Sequence, residues 1–593
     1  MNNKYDFSEY LHKRPDYFHY KKHELSLIIP SKIVTYHLEQ VVAQSVFSAE
    51  MFHIKRKMNN MINVETNMKL LFCLFFALCS DSYNFLVFCP LFGHSHTTFF
   101  AKIADTLTYA GHNVTFFTPT IVRKFSKIQY VKSITHVLQL DPSDRLVKLG
   151  SMFEEKDVSK FWYRDSSLSE MLPMIDTFNN MFVEQAAVIS RNLHVLDDLK
   201  EMNFDVMIFE HFVEPAYLVL DYLEIQKFIP ATSLAFDYNM VKSIGEPLML
   251  STVPLPTSEY SDRMSLPQRL INAINPLIFD NLIPKNKYRS YRPPYAPINT
   301  KSIEPFCSAV FTNSNPYIDY PRATLEKNVQ VGGISVDIDK LKSQKVSNEW
   351  DAVLNLRPKT VLVSFGSIML SKDMPINNKI TIATVLGKFP DVTFIWKYET
   401  NDTSFANGTE NIHFSNWVPQ TALLADPRLS AFFTHAGLGS VNEVSYLGKP
   451  TIMCPIFADQ MRNAKMLARH NGSIEISKYD LSNGDKIEEA LSKILFDESY
   501  KTAAEKLAHQ LANQPVKPKE LLVRHAEFAA QFGHLPSLDP HSRQMSFIQY
   551  FLIDLTAIIL STVILFLFVL FKLGKLMYSK LPFNLSLVKQ KTN

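Results

Sequence analysis

Cysteine is scarce in this chain, and neither sign of charge dominates. Five cysteines are spread over 593 residues, and Cys73 and Cys79 fall in a stretch that reads as a signal peptide. The remaining Cys89, Cys307 and Cys454 suggest no disulfide framework and no cysteine zinc site. Lys+Arg 61 against Asp+Glu 58 leaves a formal net charge of +3. A general nucleic-acid binder needs a concentrated positive face, so nucleic acid is not an expected partner. Acidic residues are missing altogether beyond position 571, where Lys572, Lys575, Lys580, Lys589 and Lys591 follow.

Two apolar segments bracket the chain. Residues 68–80, MKLLFCLFFALCS, join a lysine to a short apolar core and small residues, the pattern of a secretory signal peptide rather than a membrane span. Residues 1–67 precede it, rich in His, Lys, Tyr and Met and without sustained periodicity. Met68 is the expected initiator, with 1–67 an extension of the gene model; an internal signal anchor is the other reading. Near the opposite end, 555–571 is uncharged, and 548–553 lengthens it if Asp554 sits near the interface, so 548–571 suffices for one transmembrane helix. The lysines behind it put the tail 572–593 in the cytosol and the bulk in the lumen, a single-pass type I topology. The terminal KQKTN has the form of a dilysine endoplasmic-reticulum retrieval signal; a solvated basic tail is the plain alternative. Sequons at Asn113, Asn401, Asn407 and Asn471 allow luminal glycosylation, and Asn113 is expected to be the least accessible because it opens an apolar strand.

Between these ends, short apolar runs alternate with helical patterns, which predicts α/β architecture with parallel sheets covered on both faces. Runs at 85–89, 114–117, 206–209 and 309–312 are the strands of a first half, and those at 360–365, 392–396, 431–434 and 451–454 the strands of a second. A polar, lysine-bearing stretch, 337–355, separates them. The expected organisation is therefore a signal (68–82), a first domain (83–336), a linker (337–355) and a second domain (356–540). In such sheets ligands sit outside the carboxyl ends of the strands. THAGLGSVNE at 434–443 ends one of them, with Gly437 and Gly439 breaking the run before a helix predicted to begin near Ser440. Converging backbone N–H groups and the helix dipole suit such a turn to a diphosphate. His435 adds a donor, and Glu443 is spaced to accept from ribose hydroxyls. Asp459 and Gln460 offer a carboxylate and an amide, which accept from and donate to sugar hydroxyls in fixed directions. The bland reading is that His435 and Glu443 cap or solvate a helix.

Together these motifs closely resemble the signature of the UDP-glycosyltransferase family, especially its animal UDP-glucuronosyltransferases. The likeness runs from about Tyr83 to the C-terminal lysines and is most specific over 416–464. NWVPQ at 416–420 matches the family's uracil-binding stretch, implying that Trp417 stacks on the base and Gln420 reads the nucleotide. VSFGS at 363–367 matches the strand and loop that reach the diphosphate, implicating Ser367. The resemblance implies a GT-B fold, two doubly wound Rossmann-like domains facing across a cleft, and RHAEFAAQFGHL at 524–535 looks like the terminal helix that crosses back to the first domain. Two positions depart: vertebrate members carry glycine where this chain has Ala436 and asparagine where it has Gly439. Transfer of glucuronic acid is the expected activity, with glucose the alternative.

On the acceptor side, the first strand ends at Pro90 and leads through FGHSH, 92–96, to a helix from about Thr97. In the family a histidine of this loop is the catalytic base, and His96 occupies its place, with His94 as competitor. A His-x-His metal fragment is a further reading, although no third ligand stands at diagnostic spacing. An acceptor hydroxyl is a poor nucleophile at neutral pH, and imidazole is suited to take its proton. Family members place aspartate after the strand matching 206–209, where this chain has Glu210. That carboxylate either steadies the imidazolium or forms a structural salt bridge, and Asp205 reads as a cap. Displacement at the anomeric carbon inverts it, with UDP held by His435, Ser367 and backbone N–H groups, so no cofactor and no metal is expected. Asp337-Ile338-Asp339 has the Asp-x-Asp form of metal-dependent glycosyltransferases of another fold, but beside Lys340 and Lys342 it reads as a solvated turn. The implied partners are a UDP-sugar donor, a small lipophilic acceptor bound within 120–290, and the membrane; homo-oligomerisation is left open. Two rivals remain: a hydrolase, because GHSH at 93–96 begins like a nucleophile elbow before failing at Thr97, and a membrane-tethered sugar-nucleotide binder without turnover.

Overall fold

The computed structural model describes residues 82–134, 136–151, 158–164, 168–282, 306–338, 341 and 345–580. The 1–67 extension, the signal up to 81, Asp339 and the tail beyond 580 with its dilysine lie outside the described residues. The strands form two parallel sheets. The first contains β1 (Asn84–Phe88), β2 (Asn113–Pro119), β3 (His136–Leu140), β4 (Val206–Glu210), β5 (Phe228–Thr232), β6 (Val310–Thr312) and β7 (Asn328–Gln330), in the order β3-β2-β1-β4-β5-β6-β7. In the second, β8 (Lys359–Ser364), β9 (Val392–Lys397), β10 (Ile412–Ser415), β11 (Leu429–Thr434), β12 (Thr451–Met453) and β13 (Ser473–Glu475) follow the order β10-β9-β8-β11-β12-β13. Both sheets share one plan. The order reverses between β1 and β4 and again between β8 and β11, and each reversal opens a crevice at the carboxyl ends of the strands.

Central strands such as NFLVF and VMIFE are nearly continuous apolar runs because helices cover both of their faces. Those helices include α1 (His94–Tyr109), α2 (Leu168–Arg191), α3 (Asn348–Leu354), α4 (Leu438–Leu447), α5 (Gln460–Ala468) and α6 (Pro518–Phe532). α3 falls within the polar 337–355 stretch, yet it buries Trp350, Val353 and Leu354 in the second lobe's core. α6 returns to the first lobe, where Leu522, Ala526, Ala529 and Ala530 join its core. Alanines at this helical spacing let the helix approach closely, and Lys227 donates to the Ala530 carbonyl at its end.

Contacts between the lobes are polar as well as apolar. A 3-10 turn, Val158–Trp162, leaves the first half and inserts Phe161 and Trp162 into the second lobe's core. Phe161 stacks on Phe457 at 4.8 Å, Trp162 meets the edge of Phe365 at 5.2 Å, and its indole N–H donates to the Leu370 carbonyl at 3.2 Å. Nearby, the buried Arg462 of α5 pairs with Asp319 of the first lobe at 2.6 Å.

The last described helix, α7 (Ile553–Lys580), has 28 residues, a mean hydropathy of 2.6 and no buried side chains. At about 1.5 Å per residue it is ~42 Å long, more than the ~30 Å hydrocarbon core requires. It is long and apolar enough to cross a membrane. All four sequon asparagines are exposed. Asn113, expected to be hidden, precedes the buried part of β2, and its amide reaches Asn84 Oδ1 at 3.0 Å.

Candidate active site in the interlobe cleft

The first crevice is flanked by the loop after β1 and the end of β4. α1 begins at His94, three residues ahead of the expected Thr97, so His94, Ser95 and His96 share its first turn. His96 Nδ1 lies 2.8 Å from Glu210 Oε2 and 2.6 Å from Ser233 Oγ. Glu210 is fully buried, and its other oxygen accepts the Ser233 backbone N–H at 3.2 Å. A carboxylate only accepts, so Nδ1 carries the ring proton and Nε2 is left with a lone pair. The rings of Phe92 at 4.7 Å and Phe212 at 5.6 Å hold the imidazole between them. His94 turns elsewhere, toward the Tyr130 hydroxyl at 3.2 Å, and burial lowers its pKa. The two histidines therefore have no common centre. Ser95, the serine of the hydrolase reading, is exposed in the first turn of α1, and the serine that does meet His96, Ser233, shares Nδ1 with Glu210. Asp205 accepts the Asn84 N–H at 2.8 Å, as a cap.

At the second crevice, β8 runs into Gly366 and Ser367, and β11 into His435. Gly366 has φ +89°, and a Cβ there would fall 2.6 Å from His435 Cε1; one on Gly437 would fall 2.6 Å from His435 Nε2. The two glycines form a slot for the ring. The Thr434 hydroxyl lies 3.3 Å from Nδ1, where it serves either tautomer of the ring, donating to a bare nitrogen or accepting from a protonated one. Burial, and after it the charge of Lys397, lowers the pKa of His435 to about 4. α4 starts at Leu438, not Ser440, and no side chain caps it, so its first N–H groups are open to an anion. A Cβ on Gly439 would meet nothing within 4 Å, which is the room a longer side chain would fill. Ala436 is buried at φ +62°, a conformation that strains alanine by ~1–2 kcal/mol and that glycine would adopt freely.

Around this turn the remaining residues gather. Glu443 accepts from Gln420 Nε2 at 2.6 Å and from the Thr421 hydroxyl, and burial outweighs both in raising its pKa. Gln420 Nε2 also reaches Ser440 Oγ at 3.0 Å. Trp417 stands at the rim, 68% exposed. Burial raises the pKa of Asp459, opposed by the Asn463 amide and then by the charge of His96 across the cleft. Gln460 is half committed: its carbonyl accepts from the N–H groups of Ile456 and Phe457, leaving the amide nitrogen for a ligand.

A single cavity of about 1910 Å³ brings together His96, Ser367, Trp417, Gln420, His435, Gly437, Gly439, Ser440, Glu443, Asp459 and Gln460, with Glu210 behind His96. Its first-lobe wall carries an apolar patch of Phe92, Met174, Phe178, Phe182 and Phe212 beside charged groups such as Lys102, Asp105, Glu214 and Asp237. Sequence reasoning missed Ser233, Thr421 and Lys397. Lys397 closes the apolar run of β9, a readable signal, and donates to the Gly366 carbonyl at 2.9 Å and to Glu399 at 2.8 Å. Asp337 of the Asp-x-Asp run pairs with Lys519 at 2.9 Å.

Known proteins resemble this chain in sequence and fold. A family model described as UDP-glucoronosyl and UDP-glucosyl transferase matches residues 86–585. The chain is 28% identical over 451 residues to UDP-glucuronosyltransferase 1A1 of Homo sapiens, covering 73% of this chain and 79% of that protein. To UDP-glucuronosyltransferase 1A1 of Mus musculus it is 26% identical over 513 residues, covering 85% and 92%. Among solved structures, the complex between a UDP-glucosyltransferase from Polygonum tinctorium, capable of glucosylating indoxyl, and 3,4-dichloroaniline superposes with a TM-score of 0.50 at 15% identity, over 76% of this chain and 99% of that one. That likeness concerns the fold, which is GT-B. With the family match spanning most of its length, the chain belongs to the UDP-glucoronosyl and UDP-glucosyl transferase family.

Proposed function

We propose that this protein is an inverting glycosyltransferase that moves glucuronic acid from UDP to a hydroxyl of a small lipophilic acceptor. One observation carries the reading: a histidine with Nδ1 held by a buried carboxylate shares a cavity with an anion-ready glycine turn on the opposite lobe. Trp417 stacks on the uracil, and Glu443 exchanges Gln420 and Thr421 for ribose hydroxyls. The diphosphate takes hydrogen bonds from the His435 ring, Ser367 and the first N–H groups of α4. Asp459 and the Gln460 amide meet sugar hydroxyls. As the acceptor oxygen attacks the anomeric carbon, its proton passes to His96 Nε2, and the bond from that carbon to the UDP oxygen breaks on the opposite face. Glu210 stabilises the imidazolium, and the charge leaving with UDP is met by His435, Lys397 and the dipole of α4. No metal or cofactor is given a step.

The names of the human and mouse relatives favour glucuronic acid. UDP-glucose is the second reading, because Lys397, the cation nearest His435 in the donor half, is already engaged with Gly366 and Glu399. We assign α7 to the endoplasmic-reticulum membrane with both lobes luminal. The test is labelled UDP-glucuronate and UDP-glucose with a phenolic acceptor and the full chain in detergent. His96→Ala should lose transfer by ~10²–10⁴-fold while keeping UDP affinity. A wild type that transfers neither sugar, or a variant that keeps the rate, overturns the reading.

A further inference from the structure

A line of side-chain amides runs between the two halves of the site. Asn442 of α4, adjacent to Glu443 and 2% exposed, donates from Nδ2 to Asn313 Oδ1 at 3.2 Å, and this bond crosses between the lobes. Asn313 follows β6 and donates from its own Nδ2 to the Ser233 backbone oxygen at 3.0 Å. Ser233 in turn touches His96 Nδ1 with its hydroxyl and Glu210 with its N–H. The sense of the chain is fixed by its last member. A backbone carbonyl only accepts, so Asn313 must turn Nδ2 to Ser233, which leaves Oδ1 for Asn442 and requires Asn442 to present Nδ2. Neither amide can flip without setting two oxygens against each other in a poorly solvated place, where unmatched polar groups are costly.

We propose that Asn442 and Asn313 are positioning residues for the base. By holding Ser233 they set the direction of the His96 ring and tie it to the helix that receives the donor. The proposal rests on the glycosyltransferase reading above. Proton transfer is sensitive to the direction of Nε2, so a ring released from this hold keeps its chemistry but spends less time aligned.

Isosteric substitutions test it. Asn313→Asp and Asn442→Asp keep size and shape but cannot donate, so either one breaks the chain. The full chain in detergent is assayed for kcat, KM of the UDP-sugar and UDP affinity by calorimetry. Both variants should lose roughly tenfold in kcat, with UDP affinity and KM within about twofold. Ser233→Ala should show a similar loss, and adding Asn442→Asp to it should cost far less than the product of the two single effects, because the second change acts through the first. Asn442→Ala, which removes the bond without adding a charge, serves if an aspartate variant fails to fold. Variants that keep the wild-type kcat, losses that simply multiply, or a kcat that falls only in step with UDP affinity each overturn the proposal. His96→Ala runs alongside: a wild type without transfer, or an active His96→Ala, defeats the glycosyltransferase reading itself, whereas normal kcat in the asparagine variants beside a dead His96→Ala defeats only the positioning role.

Discussion

His435 allows a quantitative test of how the donor turn is built. Its ring has a pKa of about 4, against 6.5 for an ordinary histidine, because burial in the glycine slot and the nearby Lys397 disfavour the cation. A lowering of about 2.5 corresponds to about 3 kcal/mol between the two protonation states. The sign follows from which state binds the proton. Above pH 6.5 the ring is neutral whether the chain is folded or not, and His435 adds nothing to pH dependence. Between pH 6.5 and 4 the unfolded chain takes up a proton that the folded one refuses, so stability falls with pH, by about 2 kcal/mol at pH 5. Asp459 and Glu443 act in the opposite direction, because their raised pKa values favour proton uptake by the folded state. A comparison with His435→Gln separates the contributions. Urea unfolding of the full chain in detergent, followed by tryptophan fluorescence at pH 7.5 and 5, should show wild type losing about 2 kcal/mol more than the variant. Saturating UDP should return part of that loss, since a diphosphate beside Nε2 favours the protonated ring. A difference that stays flat within about 0.5 kcal/mol would refute the buried, neutral histidine.

Three further outcomes follow from the same geometry. Glu210→Gln preserves shape but removes the charge facing the imidazolium, so kcat should fall by ~10²–10⁴-fold with UDP affinity unchanged; wild-type turnover would mean that the carboxylate is structural only. Gly366→Ala places a Cβ against the His435 ring at a backbone angle of +89°, and UDP affinity should drop at least about tenfold with a loss of ~1–3 kcal/mol in stability; unaltered calorimetry would remove the slot from the argument. Trp417→Ala should weaken UDP binding by ~1–3 kcal/mol without moving the unfolding midpoint, because the indole is 68% exposed; unchanged affinity speaks against base stacking.

Much of this site was readable in the chain because its residues sit at the ends of strands buried on both faces. β1 and β4 are nearly continuous apolar runs and β8 and β11 are buried; β4 ends in Glu210, and His96, Ser367 and His435 follow β1, β8 and β11. The strands that escaped notice are weak for visible reasons. β3, HVLQL, is a half-exposed edge, β5 contains Pro230, β10, IHFS, is four half-buried residues at the other sheet's edge, and β7 and β13 are three residues each. That Glu210 meets Nδ1 of His96 was not legible in the sequence, because spacing along the chain does not say which ring atom a carboxylate from another strand will reach. Ser233 left no mark, because a serine after a strand is ordinary until its hydroxyl is found 2.6 Å from the base. Gln460 shows the reverse: its motif is clear, but the bend that returns its carbonyl to Ile456 and Phe457 is a local choice that no spacing reveals.

Several contacts that join the lobes are made by close chain neighbours of the residues proposed to hold the donor, beside others made by Tyr446, Arg469, His470 and Lys478. Phe365 adjoins Gly366, Asn442 adjoins Glu443, and Phe457 and Arg462 lie on either side of Asp459 and Gln460. Each of these neighbours meets a residue of the first lobe: Trp162, Asn313, Phe161 and Asp319 respectively. The loops proposed to hold the donor therefore also carry part of the contact that sets the distance to His96. A misplacement of about 1 Å can cost ~10²-fold in rate, and building the interlobe contact into the binding loops leaves little chain between the two over which error can accumulate. Opening the cleft on the side of the Val158–Trp162 turn would return Phe161 to water at about 1.5–3 kcal/mol and strip Trp162 of its cover as well. It would also break a buried Arg462–Asp319 pair, whose separation leaves an uncompensated charge.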